Sequence, residues 1–408
     1  MRVITLEQLR HVLANLPANP RVIASGNFAT PLTLLHELDA VVPQFRLNIL
    51  NAQAGIPDRD GITYETAFVG PAMRHHPNLV YIPCRLSLVP VLFQHAYRPD
   101  AVLLHASTRR GETVSLGTEV NVLPAAIEAA REHGAPVIVQ SNPHMPYTFG
   151  DGEIHEHDID YLVEVDEPLV THDPPPLDDR SREIGARIAA RVHDGSTLQL
   201  GIGSVPDAVL AALTDRTGLR IWSEMFSDGL LTLDQHGALD PEVPLTASFL
   251  FGSRALYDWV DGNPRVRILR TERTNDPGQI ARQVMMTSVN AALQVDLFDQ
   301  ANASRIKGRI YSGFGGSTDF IVGALHARGG QAFIALPSWH AKANVSTIVP
   351  IITEPVTSFQ HSAVATENGI ADVFGRAQSE QANNIITYAA HPDARDELRE
   401  AGKQMGLL

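Results

Sequence analysis

The sequence has little of what extracellular, membrane-spanning or nucleic-acid-binding proteins need. One cysteine, Cys84, stands in 408 residues, so neither an intrachain disulfide nor a cysteine-based zinc site can form. No stretch approaches the roughly 20 apolar residues of a transmembrane helix, and the N-terminus lacks the apolar core of a signal peptide. The formal net charge of −14 argues against nucleic acid or an anionic membrane as a main partner. We therefore expect a cytoplasmic protein that binds neither.

Missing motifs disfavour three further kinds of site. The G-x-S-x-G pentapeptide of nucleophile-elbow hydrolases does not occur. His155 and His157 could share a metal, but their polar loop offers no further ligand cluster, so we expect none. Gly201-x-Gly203 begins like a dinucleotide fingerprint, but Pro206 replaces the third glycine. What remains is a glycine turn before a helix, which either binds an anion or serves only as a tight turn.

The composition and the residue pattern indicate a two-domain α/β protein. Apolar residues make up 44% of the chain and charged residues 19%, as in globular proteins, and the length favours two domains. Strand-like apolar runs alternate with helix-like segments, which predicts mainly parallel sheets covered by helices. The acidic, proline-rich segment 166–180 is the best candidate linker. We expect an N-terminal lobe over residues 1–180 and a C-terminal lobe over residues 181–408.

The two halves repeat one strand–turn–helix–strand pattern. In the first half the segments are Arg21–Gly26, Pro31–Leu38 and Phe45–Leu50; in the second they are Thr197–Gly201, Pro206–Leu213 and Leu219–Glu224. Arg46 and Arg220 are 174 residues apart, as are Gly55 and Gly229, which indicates an internal duplication and two similar α/β lobes.

Glu224 is the difference between the repeats, because Leu50 takes its place in the first lobe. Open α/β sheets bind ligands beyond the C-terminal ends of their strands, where we expect Glu224. A carboxylate there can be a nucleophile, a general base or a metal ligand, or it can pair with a nearby arginine. The run Gly313-x-Gly315-Gly316 is either an oxyanion-binding loop or a plain loop.

Several segments together resemble one family, the acetyl-CoA hydrolase/transferase family of class I CoA-transferases. The segments that carry the resemblance are Gly201–Val209, Ser223–Gly229, Gly313–Gly316 and Thr366–Asp372, with shorter matches at Ser115–Gly117, Met145–Asp151, Asn275–Pro277, Ser288–Asn290 and Pro337–Ser338. The family includes acetate, succinate, butyrate and 4-hydroxybutyrate CoA-transferases. The resemblance implies two α/β lobes with the active site between them, and a homodimer.

The resemblance also implies a mechanism. Glu224 matches the family's catalytic glutamate, which attacks an acyl-CoA and then carries CoA as a glutamyl thioester. Gly315 and Gly316 would donate N–H groups to the oxyanion, and Glu367 would be a second active-site carboxylate, unless it only stabilises its turn. The CoA contacts would come from Gly201, Ile202, Gly203, Ser204, Val205, Gly316 and Lys342. Coenzyme A and acyl-CoA are then substrates, with small carboxylic acids as co-substrates, and no permanent cofactor or metal is expected.

The sequence departs from the family pattern around these matches. The departures are at Tyr147, Ser317, Trp339, Thr347 and Ser358, and they bear on the acyl group and the acceptor acid. Two alternatives therefore stay open beside a CoA-transferase. One is an acyl-CoA hydrolase on the same scaffold, and the other is a CoA-binding protein without turnover.

Overall fold

The computed structural model describes residues 1–356 and 360–408. The strands are β1 (Arg2–Val3), β2 (Arg21–Ala24), β3 (Phe45–Asn48), β4 (Ile62–Thr66), β5 (Leu79–Tyr81), β6 (Ala101–Ala106), β7 (Thr113–Ser115), β8 (Val137–Ser141), β9 (Phe149–Gly150), β10 (Glu153–His155), β11 (Tyr161–Glu164), β12 (Thr197–Leu200), β13 (Arg220–Ile221), β14 (Met225–Phe226), β15 (Leu245–Ala247), β16 (Phe249–Leu250), β17 (Val266–Ile268), β18 (Thr287–Ala291), β19 (Gln294–Asp296), β20 (Ala301–Asn302), β21 (Arg305–Ile306), β22 (Arg309–Ile310), β23 (Gln331–Ala335), β24 (Trp339–His340), β25 (Val345–Ser346), β26 (Ile348–Val349), β27 (Ala363–Thr366) and β28 (Gly369–Asp372).

The helices follow the same chain order. They are α1 (Leu6–Ala14), α2 (Leu32–Val41), α3 (Val89–Gln94), α4 (Leu123–His133), α5 (Asp179–Ala189), α6 (Ser204–Ala211), α7 (Gly229–Gln235), α8 (Arg254–Val260), α9 (Thr271–Thr274), α10 (Pro277–Ile280), α11 (Ser317–His326), α12 (Gln378–Asn384) and α13 (Arg395–Gln404). Within the described ranges, no helix is both long and apolar enough to cross a bilayer.

The chain divides into two compact units, and the first is built on an eight-stranded parallel sheet. This unit comprises Met1–Asp173, Leu245–Thr274 and Ile310–Gly315. Its sheet has the order β1-β11-β8-β6-β2-β3-β4-β5. Strands β6 and β8 are buried along their whole length, as expected for central strands with helices on both faces. Helix α4 ends at Gly134, whose φ of 71° allows the left-handed C-terminal cap.

The second unit is built on a six-stranded sheet and carries most of the candidate site residues. It comprises Pro174–Pro244, Asn275–Arg309 and Gly316–Leu408. The sheet order is β13-β12-β18-β23-β27-β28, and only β28 runs antiparallel to its neighbour. The predicted α/β class with mainly parallel sheets is confirmed. The change of unit at Asp173–Pro174 falls inside the proline-rich segment, while the domain boundary at residue 180 stays a prediction.

The repeated strand–helix–strand pattern is present in both units. Strands β2 and β3 pair in parallel with Arg21 opposite Arg46, and β12 and β13 pair with Thr197 opposite Arg220. Two details differ from the sequence prediction. Helix α6 begins at Ser204 rather than at Pro206, which lies in its first turn. Strand β13 ends at Ile221, so Glu224 lies three residues beyond the strand rather than on its tip.

Candidate active site

The parallel strands of the second unit bring the candidate residues to one edge of its sheet. The C-terminal ends of neighbouring parallel strands meet at the same edge, where open α/β sheets bind ligands. After β13, β12, β23 and β27 come Glu224, the Gly201–Val205 turn, Ser338 and Glu367, respectively. The turn after β12 and the segment after β13 are joined by a hydrogen bond from Ser223 Oγ to the Leu200 carbonyl, 3.3 Å long.

Glu224 is held by donors from two other segments of the same unit. Asn275 Nδ2 donates to Glu224 Oε2 at 2.8 Å, and the Gly316 backbone N–H donates to the same carboxylate. Asn275 is fully buried at the residue before the cap of α10, and Gly316 is the N-cap of α11. The N-terminus of α11 therefore faces the carboxylate, and its dipole favours negative charge there.

Gly316 must be glycine because of this contact. A Cβ atom built at this position would overlap the Glu224 carboxylate and the Asn275 amide. The φ of Gly316 is −102°, a value that any residue adopts, so the requirement comes from space and not from backbone conformation. Because no side chain shields the Gly316 N–H, the Glu224 oxygen can approach it closely.

The surroundings raise the pKa of Glu224 to about 7. Burial of the carboxyl group is the largest cause, although the residue as a whole keeps intermediate exposure. The Asn275 hydrogen bond lowers the pKa, the buried Asp319 in the first turn of α11 raises it, and the Gly316 hydrogen bond lowers it. A carboxylate in such surroundings is less solvated than one in water, and so it is a better nucleophile.

The Gly201–Val205 turn presents open space beside this site. A Cβ atom at Gly201 or Gly203 would meet no atom within 4 Å, and Ile202 is 44% exposed. Gly203 has a φ of 120°, which favours glycine, and it caps α6, while Val205 is buried beneath the turn. The glycines therefore leave the backbone accessible to a ligand.

Glu367 is fixed by Ser338 at the same edge. The Ser338 backbone N–H donates to Glu367 Oε2 at 2.8 Å, and its hydroxyl donates to Oε1 at 2.6 Å. The Asn368 amide donates in turn to the Ser338 hydroxyl at 2.8 Å. Both carboxylate oxygens are thus engaged in a turn-stabilising arrangement, and a role toward Glu224 or substrate stays a prediction.

The other predicted positions fall in different surroundings. Lys342 is exposed in the turn between β24 and β25. Gly315 has a φ of 54°, and its carbonyl accepts the Leu86 N–H at 3.0 Å in the first unit. Ser317 is the first residue of α11, and Ser358 lies outside the described residues.

Two of the departures from the family pattern are tied down by hydrogen bonds. The buried Tyr147 hydroxyl lies 2.6 Å from Thr113 Oγ1 and donates to Glu153 at 3.2 Å, while Arg110 lies over its ring. The Thr347 hydroxyl donates to the Pro337 carbonyl at 2.6 Å. The hydroxyl groups of both side chains therefore have hydrogen-bond partners within the protein.

Sequence reasoning missed the roles of Asn275 and Asp319. In the sequence, Asn275 is recognisable only as part of a family match, and Asp319 resembles an ordinary acid in the first turn of a helix. Their proximity to Glu224 depends on how α10 and α11 pack, which no local pattern reports. Within residues 1–356 and 360–408, no group of three or more His, Cys, Asp or Glu side chains forms a metal-binding cluster.

Comparison with known proteins identifies the family. The model for the acetyl-CoA hydrolase/transferase C-terminal domain matches residues 252–402. A 4-hydroxybutyrate coenzyme A transferase of Clostridium kluyveri is 36% identical over 84% of this chain and 82% of its own length. The chain belongs to the acetyl-CoA hydrolase/transferase family.

Two further matches cover different shares of the chain. An acetyl-CoA hydrolase of Kluyveromyces lactis is 32% identical over 48% of this chain and 38% of its own length. The crystal structure of RipA from Yersinia pestis superposes with a TM-score of 0.93, at 28% identity, covering all of this chain and 98% of RipA. Hydrolases and transferases thus share the family, and the family prediction made from the sequence is confirmed.

Proposed function

We propose that this family member is a CoA-transferase that moves CoA between an acyl-CoA and a small carboxylic acid. The observation that carries the proposal is the Glu224 carboxylate, held by Asn275 and Gly316 with a pKa raised to about 7. No metal ion takes part in the proposed steps.

The first half-reaction starts with attack of the Glu224 carboxylate on the thioester carbonyl carbon. The C–S bond breaks, CoA leaves as thiolate, and a mixed anhydride joins the acyl group to Glu224. The thiolate then attacks the Glu224 carbonyl carbon. The acyl group leaves as a carboxylate, and CoA remains on the enzyme as a glutamyl thioester. The second carboxylic acid takes CoA by the same steps in reverse.

The two oxygens of Glu224 have different roles in this scheme. Asn275 already donates to Oε2, so Oε1 is the oxygen that attacks the thioester. Oε2 becomes the carbonyl oxygen of the anhydride and carries negative charge when the thiolate attacks. Donors that are in place before this charge develops stabilise it without further reorganisation. Gly316 serves here as an oxyanion donor, and we assign Gly315 the matching role toward the thioester oxygen.

We assign roles to the remaining candidate residues from their positions at the same edge of the sheet. The open Gly201–Val205 turn lies along CoA, Lys342 binds a CoA phosphate, and Glu367 orients Glu224 or the acid. The single cysteine and the lack of a long apolar run motivate a cytoplasmic protein. The family resemblance motivates a homodimer in which CoA is a substrate and no cofactor is permanently bound. Light scattering on the purified protein tests the dimer, and a monomer mass would exclude it.

The test is an exchange matrix of acyl-CoA substrates against isotope-labelled carboxylic acids, read by mass spectrometry. A transferase incorporates labelled acid into acyl-CoA, and its rate depends on the acid. The hydrolase relatives make acyl-CoA hydrolysis the second candidate, which predicts CoA release at a rate independent of added acid. A protein that binds CoA but shows neither reaction with any pair would contradict both.

A further inference from the structure

Two histidine rings face each other at the end of the two-stranded β7–β10 sheet in the first unit. His155 is the last residue of β10 and lies opposite Thr113 of β7. It is also the N-cap of the single 3₁₀ turn Glu156–Asp158, and its Nδ1 atom accepts the His157 backbone N–H at 3.2 Å. The Nδ1 atoms of the two rings lie 2.6 Å apart, and the ring centroids lie 4.2 Å apart. The backbone thus brings the same nitrogen of both rings to one point.

The other nitrogen of each ring lies near a carboxylate. His155 Nε2 lies 3.0 Å from Glu112 Oε2, and His157 Nε2 lies 3.3 Å from Asp158 Oδ2. An ionised carboxylate only accepts hydrogen bonds, so the favourable tautomer of each ring carries its proton on Nε2. A neutral imidazole with its proton on Nε2 has a lone pair on Nδ1. Two such lone pairs 2.6 Å apart repel each other unless a proton or a metal ion lies between them.

The charges around the two rings favour a cation. Carboxylates come from Glu112, Glu156 and Asp158, and they outnumber the one guanidinium group, that of Arg109, which donates to Glu156 Oε2 at 2.9 Å. Metal-binding histidines in proteins commonly donate their second ring N–H to a carboxylate, which fixes the ring and raises its basicity. Both rings of this pair have such a carboxylate.

The rings need little movement to reach the geometry of a metal site. The side chains of His155 and His157 are 37% and 70% exposed, so the surroundings oppose ring rotation only weakly. Metal–nitrogen bonds of about 2.0 Å that meet at a right angle place the two nitrogens about 2.8 Å apart. The separation of 2.6 Å therefore has to widen by about 0.2 Å. Imidazole nitrogen suits copper, zinc and nickel ions, and Cu²⁺ binds most tightly among the divalent first-row ions.

We propose that His155 and His157 bind a divalent transition-metal ion through their Nδ1 atoms, with water molecules as the remaining ligands. Glu112 and Asp158 orient the two rings through Nε2. No metal was expected here from the sequence, because the polar loop offers no further ligand cluster. Glu112 is 43 residues away from His155 in the chain, so its supporting contact exists only in the folded protein. The steps proposed for CoA transfer do not use this ion, so the two proposals stand or fall separately.

A shared proton is the alternative occupant of the space between the rings. In that case His157 Nδ1–H donates to His155 Nδ1, and the pair has no preference for a metal ion over the other histidines of the chain, which has 17 in all. A metal site predicts instead that one binding event depends on both rings and on Glu112.

The direct test is calorimetric titration of the full chain with Cu²⁺, together with the electron paramagnetic resonance spectrum of the bound ion. The spectrum of the tightest site should show two imidazole nitrogens. Loss of a carboxylate that supports a ligand costs about 10–100-fold in metal affinity, and loss of the ligand itself should cost at least as much. His155→Asn and His157→Asn should therefore each weaken this site about tenfold or more and remove a nitrogen from the spectrum. Asparagine is a good N-cap, so His155→Asn keeps the start of the 3₁₀ turn.

Matched controls separate this site from general binding to surface groups. His133→Asn removes an exposed histidine at the end of α4 in the same unit and should leave the tight site unchanged. Glu112→Gln should weaken Cu²⁺ binding about tenfold while both nitrogens stay in the spectrum. The exposed Glu132→Gln is its control and should bind like the unchanged protein. Cu²⁺ binding that keeps its affinity and its nitrogen signals in both His155→Asn and His157→Asn would overturn the inference, as would equal losses in His133→Asn.

Discussion

The two copies of the strand–turn–helix–strand repeat use glycine for opposite reasons. In the first unit, a Cβ atom at Gly26 would overlap the Leu50 carbonyl oxygen, which accepts the Asn27 N–H at 3.1 Å. In the second unit, Gly201 and Gly203 face open space. The first turn is therefore sealed against its neighbouring segment, and the second is left accessible. The same scaffold is closed at this turn in one copy and open in the other.

The two copies also differ at the residue that follows the second strand of the repeat. Leu50 is 5% exposed and packs in the first unit, while Glu224 in the second unit contacts Asn275 and Gly316. The scaffold itself does not require an acid, because the first copy folds with leucine. Among residues 1–356 and 360–408, no salt-bridge cation pairs with Glu224, and a buried carboxylate without one costs stability, which is expected at a functional site.

The largest expected effect comes from giving the second copy the residue of the first. Glu224→Leu removes the proposed nucleophile, so the exchange rate should fall by about a thousandfold or more. Circular dichroism should show an unchanged fold. Leu50→Met, a volume-conserving change in the other copy, is the control and should leave the rate within a few-fold. Retention of a tenth of the activity in Glu224→Leu would remove this residue from the mechanism.

A smaller loss is expected when the space beside Glu224 is filled. In Gly316→Ala the added methyl group displaces the carboxylate, and a misplacement of about 1 Å costs about a hundredfold in rate. The backbone conformation suits alanine, so the thermal midpoint should change little. His326→Ala, at the exposed far end of the same helix, is the matched control. An unchanged kcat in Gly316→Ala would contradict the close contact.

The contrast between the sealed and the open turn can be tested through stability. Gly26→Ala forces a Cβ atom into the Leu50 backbone and should destabilise the protein by about 1–3 kcal/mol. Gly201→Ala adds a methyl group in open space and should change the unfolding free energy by less than about 0.5 kcal/mol. Urea denaturation of both variants measures the difference. Equal destabilisation by Gly26→Ala and Gly201→Ala would contradict the difference between the two turns.

The smallest effects concern pH. Since the ionised carboxylate attacks in the proposed mechanism, kcat/KM should rise with pH through about 7, the pKa of Glu224. Asn275→Ala removes a hydrogen bond that lowers this pKa, so the midpoint should move to higher pH. The exposed Asn383→Ala is the control. A midpoint near the ordinary glutamate value of 4.5 would contradict the burial of this carboxyl group.

The same pKa shift predicts a stability change of definite sign. The folded state holds the Glu224 proton more tightly than the unfolded state does, so stability from this group is full below about pH 4.5 and is lost as pH rises through 7. Glu224→Gln stays neutral at every pH, so it should gain stability relative to the unchanged protein between pH 5 and pH 8. A constant difference across that range would contradict the shift.

The architecture could be predicted from the sequence, because the residue patterns that indicate strands, helices and turns are local. Apolar runs such as Val137–Gln140 and the spacing of repeated glycines report strands and turns directly. The repeat also predicted that Glu224 is not needed by the fold. These inferences depend on residues that are neighbours in the chain or related by one offset.

The surroundings of Glu224 could not be predicted in this way. Asn275 lies 51 residues from Glu224 in sequence, and Asp319 lies on another helix. Their contacts depend on the packing of α10 against α11 and on the exit of the chain from β13. The raised pKa follows from the same packing, since burial is its largest cause.

The covalent intermediate on Glu224 tests the account most directly. The unchanged enzyme is incubated with acyl-CoA, treated with borohydride or hydroxylamine, digested and read by peptide mass spectrometry. We predict modification of Glu224 alone, which depends on acyl-CoA and is lost when free carboxylic acid is added in excess before trapping. Full exchange activity with an unmodified Glu224, or with the label on another side chain, would contradict it.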